Sequence, residues 1–225
     1  MVRIIQTYGT LLLTAMGQTL LLALLGLFFA CILGVVFGLM SVVKNRVCRI
    51  VSAVFVNLIR GVPMIVLAYF IYFGVPYLWN TILKMPSRMT LSALQAGTVC
   101  LALNCGAYMS EIIRAGIQSV DAGQMEAARS LGLSWWRGMY RVVLPQAVKT
   151  MIPSIINQFI ITLKDTSILS VIGFPELVNT AKNVVAATFL STQTWVIVGA
   201  MYLVIILLLQ QFAKYLERRL KYEQR

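Results

Sequence analysis

The sequence predicts an all-α integral membrane protein with five transmembrane helices, and three observations carry that prediction. Sixty percent of the 225 residues are hydrophobic and only 12% are charged, whereas a soluble domain is about half apolar and a quarter charged. The run Ile4–Val43 holds no charge at all. Most of the 19 Lys and Arg residues gather at the ends of apolar runs, so the formal net charge of +12 reports membrane orientation and not nucleic-acid binding. The length suits one domain, residues 1–225.

A spanning helix needs about 20 mainly apolar residues. The run Ile4–Val43 is too long for one untilted span and too short for two with a loop. We therefore expect an N-terminal interfacial turn or short helix, then a first span over residues 19–43. Gly34 and Gly38 in that span form a G-x-x-x-G pattern, which permits close helix approach within the subunit or across a dimer. The second span covers residues 55–79 and is interrupted by Arg60-Gly61-Val62-Pro63. Pro63 lacks an N–H and Gly61 loosens the helix, so the segment reads either as a kink or restart, or as an interfacial helix, Ile50–Ile59, ending at an arginine among the headgroups. The third span, residues 89–110, is free of charge. The fourth, 150–173, carries Lys164 and Asp165, and the fifth covers 194–213.

Five spans put the termini on opposite sides of the membrane. One side carries Lys44, Arg46, Arg49 and Arg60, the loop of residues 114–149 and the tail from Lys214, fourteen of the basic residues in all. The other carries Arg3, Lys84, Arg88 and Lys182. The positive-inside rule then places the N-terminus outside and the C-terminus in the cytoplasm.

Several chemistries are excluded. There is no histidine, which removes histidine bases, Ser-His triads and histidine metal sites. No G-x-x-x-x-G-K-[ST] phosphate loop is present, so nucleotide chemistry by that route belongs to another chain. Cys31, Cys48, Cys100 and Cys105 have neither disulfide nor metal spacing and read as small packing residues.

The loop of residues 114–149 is too polar to span and too apolar to be disordered. It reads as two short helices. Asp121 is a cap for the first, and Gln124 to Ala128 are helix-forming. Gly132 ends that helix in a left-handed conformation, and Ser134 caps a second helix that stops near Pro145. Met125, Ala128 and Leu131 make one apolar stripe, and Trp136, Tyr140 and Val143 another. Such a hairpin can lie on lipid headgroups or receive a soluble partner, and the Ala-Ala pair with its tight glycine turn favours the partner.

Glu126-Ala127-Ala128, Gly132 six positions after the glutamate and then Leu144-Pro145 resemble the EAA loop of ATP-binding-cassette (ABC) import permeases. The segments NLIRGVPMIVL (57–67), AYMSEIIRAGIQSVDAGQMEAARSLG (107–132) and LKDTSILSVIG (163–173) narrow the likeness to the polar amino acid permeases of the histidine/glutamine/arginine type. The departures are mild, such as Val62 where threonine is common and Ala115 where glycine is common. The resemblance implies the type I importer permease fold in a bacterial cytoplasmic membrane. It implies a pair of permease subunits, identical or different, and two ATPase subunits that hold ATP and Mg²⁺. An external amino-acid-binding protein would deliver the substrate. This chain needs no cofactor, no metal and no catalytic residue of its own. The loop's helices become coupling helices, with Glu126 contacting the ATPase, Gly132 as the hinge turn and Ala127, Ala128 and Leu131 as the packed face.

Ionisable groups within a span are costly and are functional candidates by default. Lys164, Asp165, Thr166 and Ser167 lie roughly 20 Å along the fourth span at about 1.5 Å per residue. They either satisfy one another in a broken helix or line the path of an amino acid, Asp165 meeting its ammonium and Lys164 its carboxylate. Arg60 at the helix break, Asn57 and Asn104 are further candidates for that path, although a buried asparagine also serves to bond a neighbouring helix. Glu111 and Arg114 read as a local ion pair. Two competing classes are a passive channel or secondary carrier working alone, and a membrane enzyme. No internal repeat supports the first, and the few intramembrane acids and missing histidine leave the second without machinery.

Overall fold

A computed structural model describes residues 1–222. Among these residues the chain is wholly helical, and five helices are long and apolar enough to cross a membrane, as expected.

Helix α1, Val2–Val42, runs 41 residues without a break, or about 61 Å at 1.5 Å per residue. This corrects the expected N-terminal turn and separate span from residue 19. The segment has no proline, and Gly9 and Gly17 stand singly, so nothing interrupts the backbone hydrogen bonds. The chain turns at Val43, and Asn45 caps α2, Arg46–Gly61, its Oδ1 accepting from the Val47 N–H at 2.9 Å. Helix α2 folds back along α1. Ser52 Oγ donates to the Phe37 carbonyl at 2.7 Å, and the Phe37 and Phe55 rings stack with centroids 3.9 Å apart.

Residue Val62 is extended, as a residue before proline prefers, so α3, Met64–Ile82, is a separate helix. The expected span over 55–79 is thus cut in two at the Arg60–Pro63 break. Pro76 sits within α3 between two wide π turns, Phe70–Gly74 and Leu78–Ile82. A tight loop follows. Asn80 exchanges two 2.7 Å hydrogen bonds with the Met89 backbone, and Trp79 Nε1 donates to the Ser87 carbonyl.

Helix α4, Ala93–Gln118, begins at a capping box made by Ser92 and Gln95 and outruns the expected 89–110 span at its far end. Helix α5 is Ala122–Ser130, and α6 is Trp135–Ile172, ending in a tight 3-10 turn, Thr166–Ile172, before Gly173 at φ +77°. The expectation that the second loop helix stops at Pro145 is overturned. A π turn, Met139–Val143, lies directly before Leu144-Pro145. Its wider course moves aside the carbonyl that the proline ring would strike, so loop helix and fourth span are one rod.

Helix α7, Leu177–Thr188, fills a stretch to which the sequence analysis assigns no element. Its cap is the fully buried Glu176, which accepts from the N–H groups of Val178 and Asn179 at 2.7 and 2.6 Å. Tyr202 on the last helix, α8, Ser191–Tyr222, donates to the same carboxylate at 3.3 Å. Thr19 Oγ1 of α1 accepts from the Leu177 N–H at 3.1 Å.

The longest seam joins α1 and α4. A Cβ placed on Gly26 would meet Leu101 Cβ at 2.6 Å, on Gly34 Met109 Cβ at 2.5 Å, and on Gly38 Ile113 Cβ at 2.8 Å. The register advances equally on both helices, so they run parallel. The G-x-x-x-G pattern therefore serves packing inside the subunit. The apolar core lies where Leu22 of α1, Leu67 and Ala68 of α3, Leu101 of α4 and Leu169 of α6 meet.

Candidate functional site

Two places gather the residues singled out in the sequence. The first is the hairpin between α4 and α6. Asp121 Oδ1 accepts from the Gly123 N–H at 2.8 Å and starts α5. At its end the Gly132 N–H reaches the Arg129 carbonyl at 3.0 Å and the Leu133 N–H reaches the Ala128 carbonyl at 3.1 Å, with Gly132 at φ +80°. This is the Schellman closure, which satisfies two otherwise orphaned carbonyls. Ser134 then caps α6 through the Arg137 N–H at 3.5 Å.

The two arms touch where Gly138 meets Ala128 and Met125. A Cβ on Gly138 would lie 2.8 Å from Met125 Sδ and 3.5 Å from Ala128 Cβ. Ala128 is thus buried inside the hairpin, which corrects its expected place on a partner-facing surface. Leu144 is half-buried against the apolar cluster in which Ile113 and Ile117 of α4 meet Met139 and Val143 of α6. Glu126, Ala127 and Pro145 are exposed. Leu131 is 83% exposed, and beside it in sequence stand Trp136 at 66% and Tyr140 at 75%. The expected stripe of Trp136, Tyr140 and Val143, none of them an expected site residue, is split: the first two face outward, whereas Val143 is 5% exposed and belongs to a buried cluster with Ile113 and Met139.

The second place is a hollow of about 550 Å³ at the α2–α3 break. Arg60, Asn104 and Asp165 line it together with Tyr108, Gln158 and Met64. It lies against a second hollow of about 540 Å³, lined by Glu111, Arg114, Ser119, Thr150 and Ser154. Arg60, Tyr108 and Gln158 belong to both.

Of the expected path residues, the structure brings Arg60, Asn104 and Asp165 to one cavity and places the others elsewhere. Asn57 is exposed away from both hollows, and Lys164 points off the wall that Asp165 lines. Thr166 is fully buried with Oγ1 donating to the Leu163 carbonyl at 2.7 Å, and Ser167 Oγ donates to the Lys164 carbonyl at 2.7 Å. Those two hydroxyls bond carbonyls of the turn at which α6 tightens into its 3-10 segment. They fill the backbone positions that a 3-10 turn leaves open. Asn104 Nδ2 lies 3.7 Å from Met64 Sδ, a weak acceptor.

Gln158 and Tyr108 were missed, although a helical-face reading finds them. Gln158, Ile161, Asp165 and Ile168 follow i, i+3, i+7, i+10 along one face of α6. Asn104, Tyr108, Glu111 and Ala115 follow i, i+4, i+7, i+11 along one face of α4, and Ser119 continues that line just past its end. The expected pair is present: Arg114 holds both oxygens of Glu111 at 2.8 and 3.0 Å and donates to Gln118 Oε1 at 2.7 Å. Arg60 also approaches Glu111, at 3.6 Å, and its guanidinium stands 4.8 Å from the centroid of the Tyr108 ring.

A bundle of this shape, with a capped helical hairpin at one end and a polar hollow between its helices, is the architecture of importer permeases. It is similar to the crystal structure of an amino acid ABC transporter with histidines, with a TM-score of 0.86 and 35% identity over 96% of each chain. The inward-facing MetNI methionine ABC transporter is similar in fold alone, with a TM-score of 0.79 and 18% identity over 95% of this chain and 97% of the other. The glutamine transport system permease protein GlnP of Escherichia coli (strain K12) is 35% identical over 94% of this chain and 93% of its own. The probable glutamine ABC transporter permease protein GlnM of Bacillus subtilis (strain 168) is 36% identical over 91% and 90%. Residues 26–222 match the family described as the binding-protein-dependent transport system inner membrane component, and the chain belongs to that family. It is a multi-pass transport subunit, not itself an ATPase.

Proposed function

We propose that this chain is the amino-acid-conducting subunit of an ABC importer and that polar or charged amino acids pass along the two linked hollows between α2, α4 and α6. The observation that carries this reading is the lining of the hollow at the α2–α3 break, where Arg60 and Asp165 offer opposite charges and Asn104 and Gln158 offer amides. An amino acid presents one carboxylate and one ammonium, and its size suits a pocket in the range of about 300–1,000 Å³ with a few convergent polar groups. Glutamine transport is ascribed to GlnP and GlnM by name, which supports the same substrate class here.

The exposed Leu131, Trp136 and Tyr140, with Glu126 and Ala127 beside them, form the seat of a separate ATPase subunit, which holds ATP and Mg²⁺. Two permease subunits, identical or different, form the channel, and an external binding protein delivers the amino acid. The N-terminus lies outside and the C-terminus inside, which puts the hairpin in the cytoplasm with most of the basic residues. ATP-driven closure of the ATPases moves the hairpin, and because α6 is unbroken from Trp135 to Ile172, that motion reaches Asp165 along a single helix.

The test is uptake in liposomes that hold the chain with its ATPase, with the binding protein added outside. We expect amino-acid-stimulated ATP hydrolysis and uptake, with Asp165→Asn losing uptake far more than assembly. Unchanged affinity and coupling in Asp165→Asn would remove Asp165 from the path. Failure of the native chain to bind an ATPase would remove the importer reading altogether.

A further inference from the structure

We propose that Arg60, held across the Tyr108 ring and tethered to Glu111, is a latch in the neck between the two hollows, and that Tyr108 and Glu111 are its positioning residues. The inference rests on reading the hollows as one path. Arg60 and Tyr108 line both hollows, and the guanidinium lies 4.8 Å from the ring centroid. A stacked Arg–Tyr pair at a shared wall is a plug made from one side chain of α2 and one of α4. Gln158 of α6 forms the third side of the neck.

The tether is built to let go. Glu111 is gripped by Arg114 through both oxygens at 2.8 and 3.0 Å, whereas Arg60 reaches it only at 3.6 Å. The Arg60 and Glu111 side chains are 39% and 31% exposed, and a partly solvated ion pair and a single ring contact are both weak. When Arg60 leaves, Glu111 remains paired, so no charge is stranded. Arg60 also stands at the hinge. It is followed by Gly61, which has open space around its Cβ position, and by the extended Val62 before Pro63. Arg60 is on α2 and Tyr108 on α4, so a small shift of the end of α2 swings Arg60 off Tyr108, and the break at Val62 lets that end move without carrying α3 with it.

The test reads access directly. In the full chain assembled with its ATPase, Cys31, Cys48, Cys100 and Cys105 are replaced by alanine. A reporter cysteine is placed in the far hollow by Ile168→Cys or in the near one by Ser154→Cys. A membrane-impermeant methanethiosulfonate bearing a quaternary ammonium is applied on the side of the α4–α6 hairpin, without nucleotide or amino acid. We expect the position 154 reporter to react quickly in every background and the position 168 reporter to react slowly in the native background. Tyr108→Leu and Arg60→Gln should speed position 168 relative to position 154 by roughly tenfold, while Tyr108→Phe, which keeps the ring, should leave it slow. Tyr108→Leu leaves the local charge unchanged, so it separates opening of the neck from the change in charge that Arg60→Gln brings, and co-purification with the ATPase confirms that each variant is assembled. A position 168 reporter that is fast in the native background, or one that none of the variants speeds, overturns the latch. Because the labelling needs no substrate, a chain that labels as expected but carries no amino acid would fail the proposed function while keeping the latch.

Discussion

Helix α4 has two faces that could hardly differ more. One lies on α1, where Leu101, Met109 and Ile113 press on Gly26, Gly34 and Gly38 with no room for another methyl group. The other turns Asn104, Tyr108, Glu111, Ala115 and Ser119 toward α6 and leaves two hollows between them. The dry seam is continuous and apolar, so it stores no alternative arrangement. The wet seam is held by a few weak polar contacts, which is what a segment that must open and close requires. A single helix thus presents a packed face on one side and a cavity wall on the other.

Substitutions can break this contrast, and the dry seam should be the more sensitive side. Gly34→Leu forces a side chain into Met109, and overpacking of this kind costs about 1–3 kcal/mol or more. We expect a large fall in the melting temperature of the detergent-solubilised protein, while Gly17→Leu, with nothing within 4 Å of its Cβ position, melts as the native chain does. Next is Gly132→Val, which puts a branched residue at φ +80° at a cost of about 1–2 kcal/mol. The α5–α6 turn should loosen, and loss of ATPase co-purification with the bundle still folded would locate the damage in the hairpin.

The wet seam should tolerate bulk. Ala115→Trp places an indole in open space beside the second hollow, so stability should move by no more than about 0.5 kcal/mol while uptake falls sharply. A variant that fails to accumulate would mean that this face is packed after all. A small stability effect is also expected from Glu111→Gln, which removes a partly exposed ion pair worth about 0–1 kcal/mol. The difference from the native chain should shrink further in high salt, and a salt-independent loss would point to packing instead.

Much of this was legible in the residues. The spans followed from apolar length, since a helix in lipid must satisfy its own backbone over a fixed thickness. The hairpin followed from caps, because Asp121, Gly132 and Ser134 each act on neighbouring backbone. Helix ends proved harder to read where proline was involved. Pro63 separates α2 from α3, whereas Pro145 passes inside α6 because a π turn upstream absorbs it. Position relative to other helices was harder still. Asp165 and Lys164 are adjacent in sequence, yet only Asp165 lines a hollow, and Thr166 and Ser167 spend their hydroxyls on backbone carbonyls.

By itself, then, the sequence determined the membrane class, the number of spans and the capped turn of the α5–α6 hairpin, all of which depend on local composition and nearest-neighbour hydrogen bonds. Only the tertiary structure decided that the glycines of α1 receive α4, that Gln158 and Tyr108 join Arg60 at one neck, and that Ala128 packs inward. Those outcomes depend on which helix faces which, a property of contacts between residues far apart in the chain.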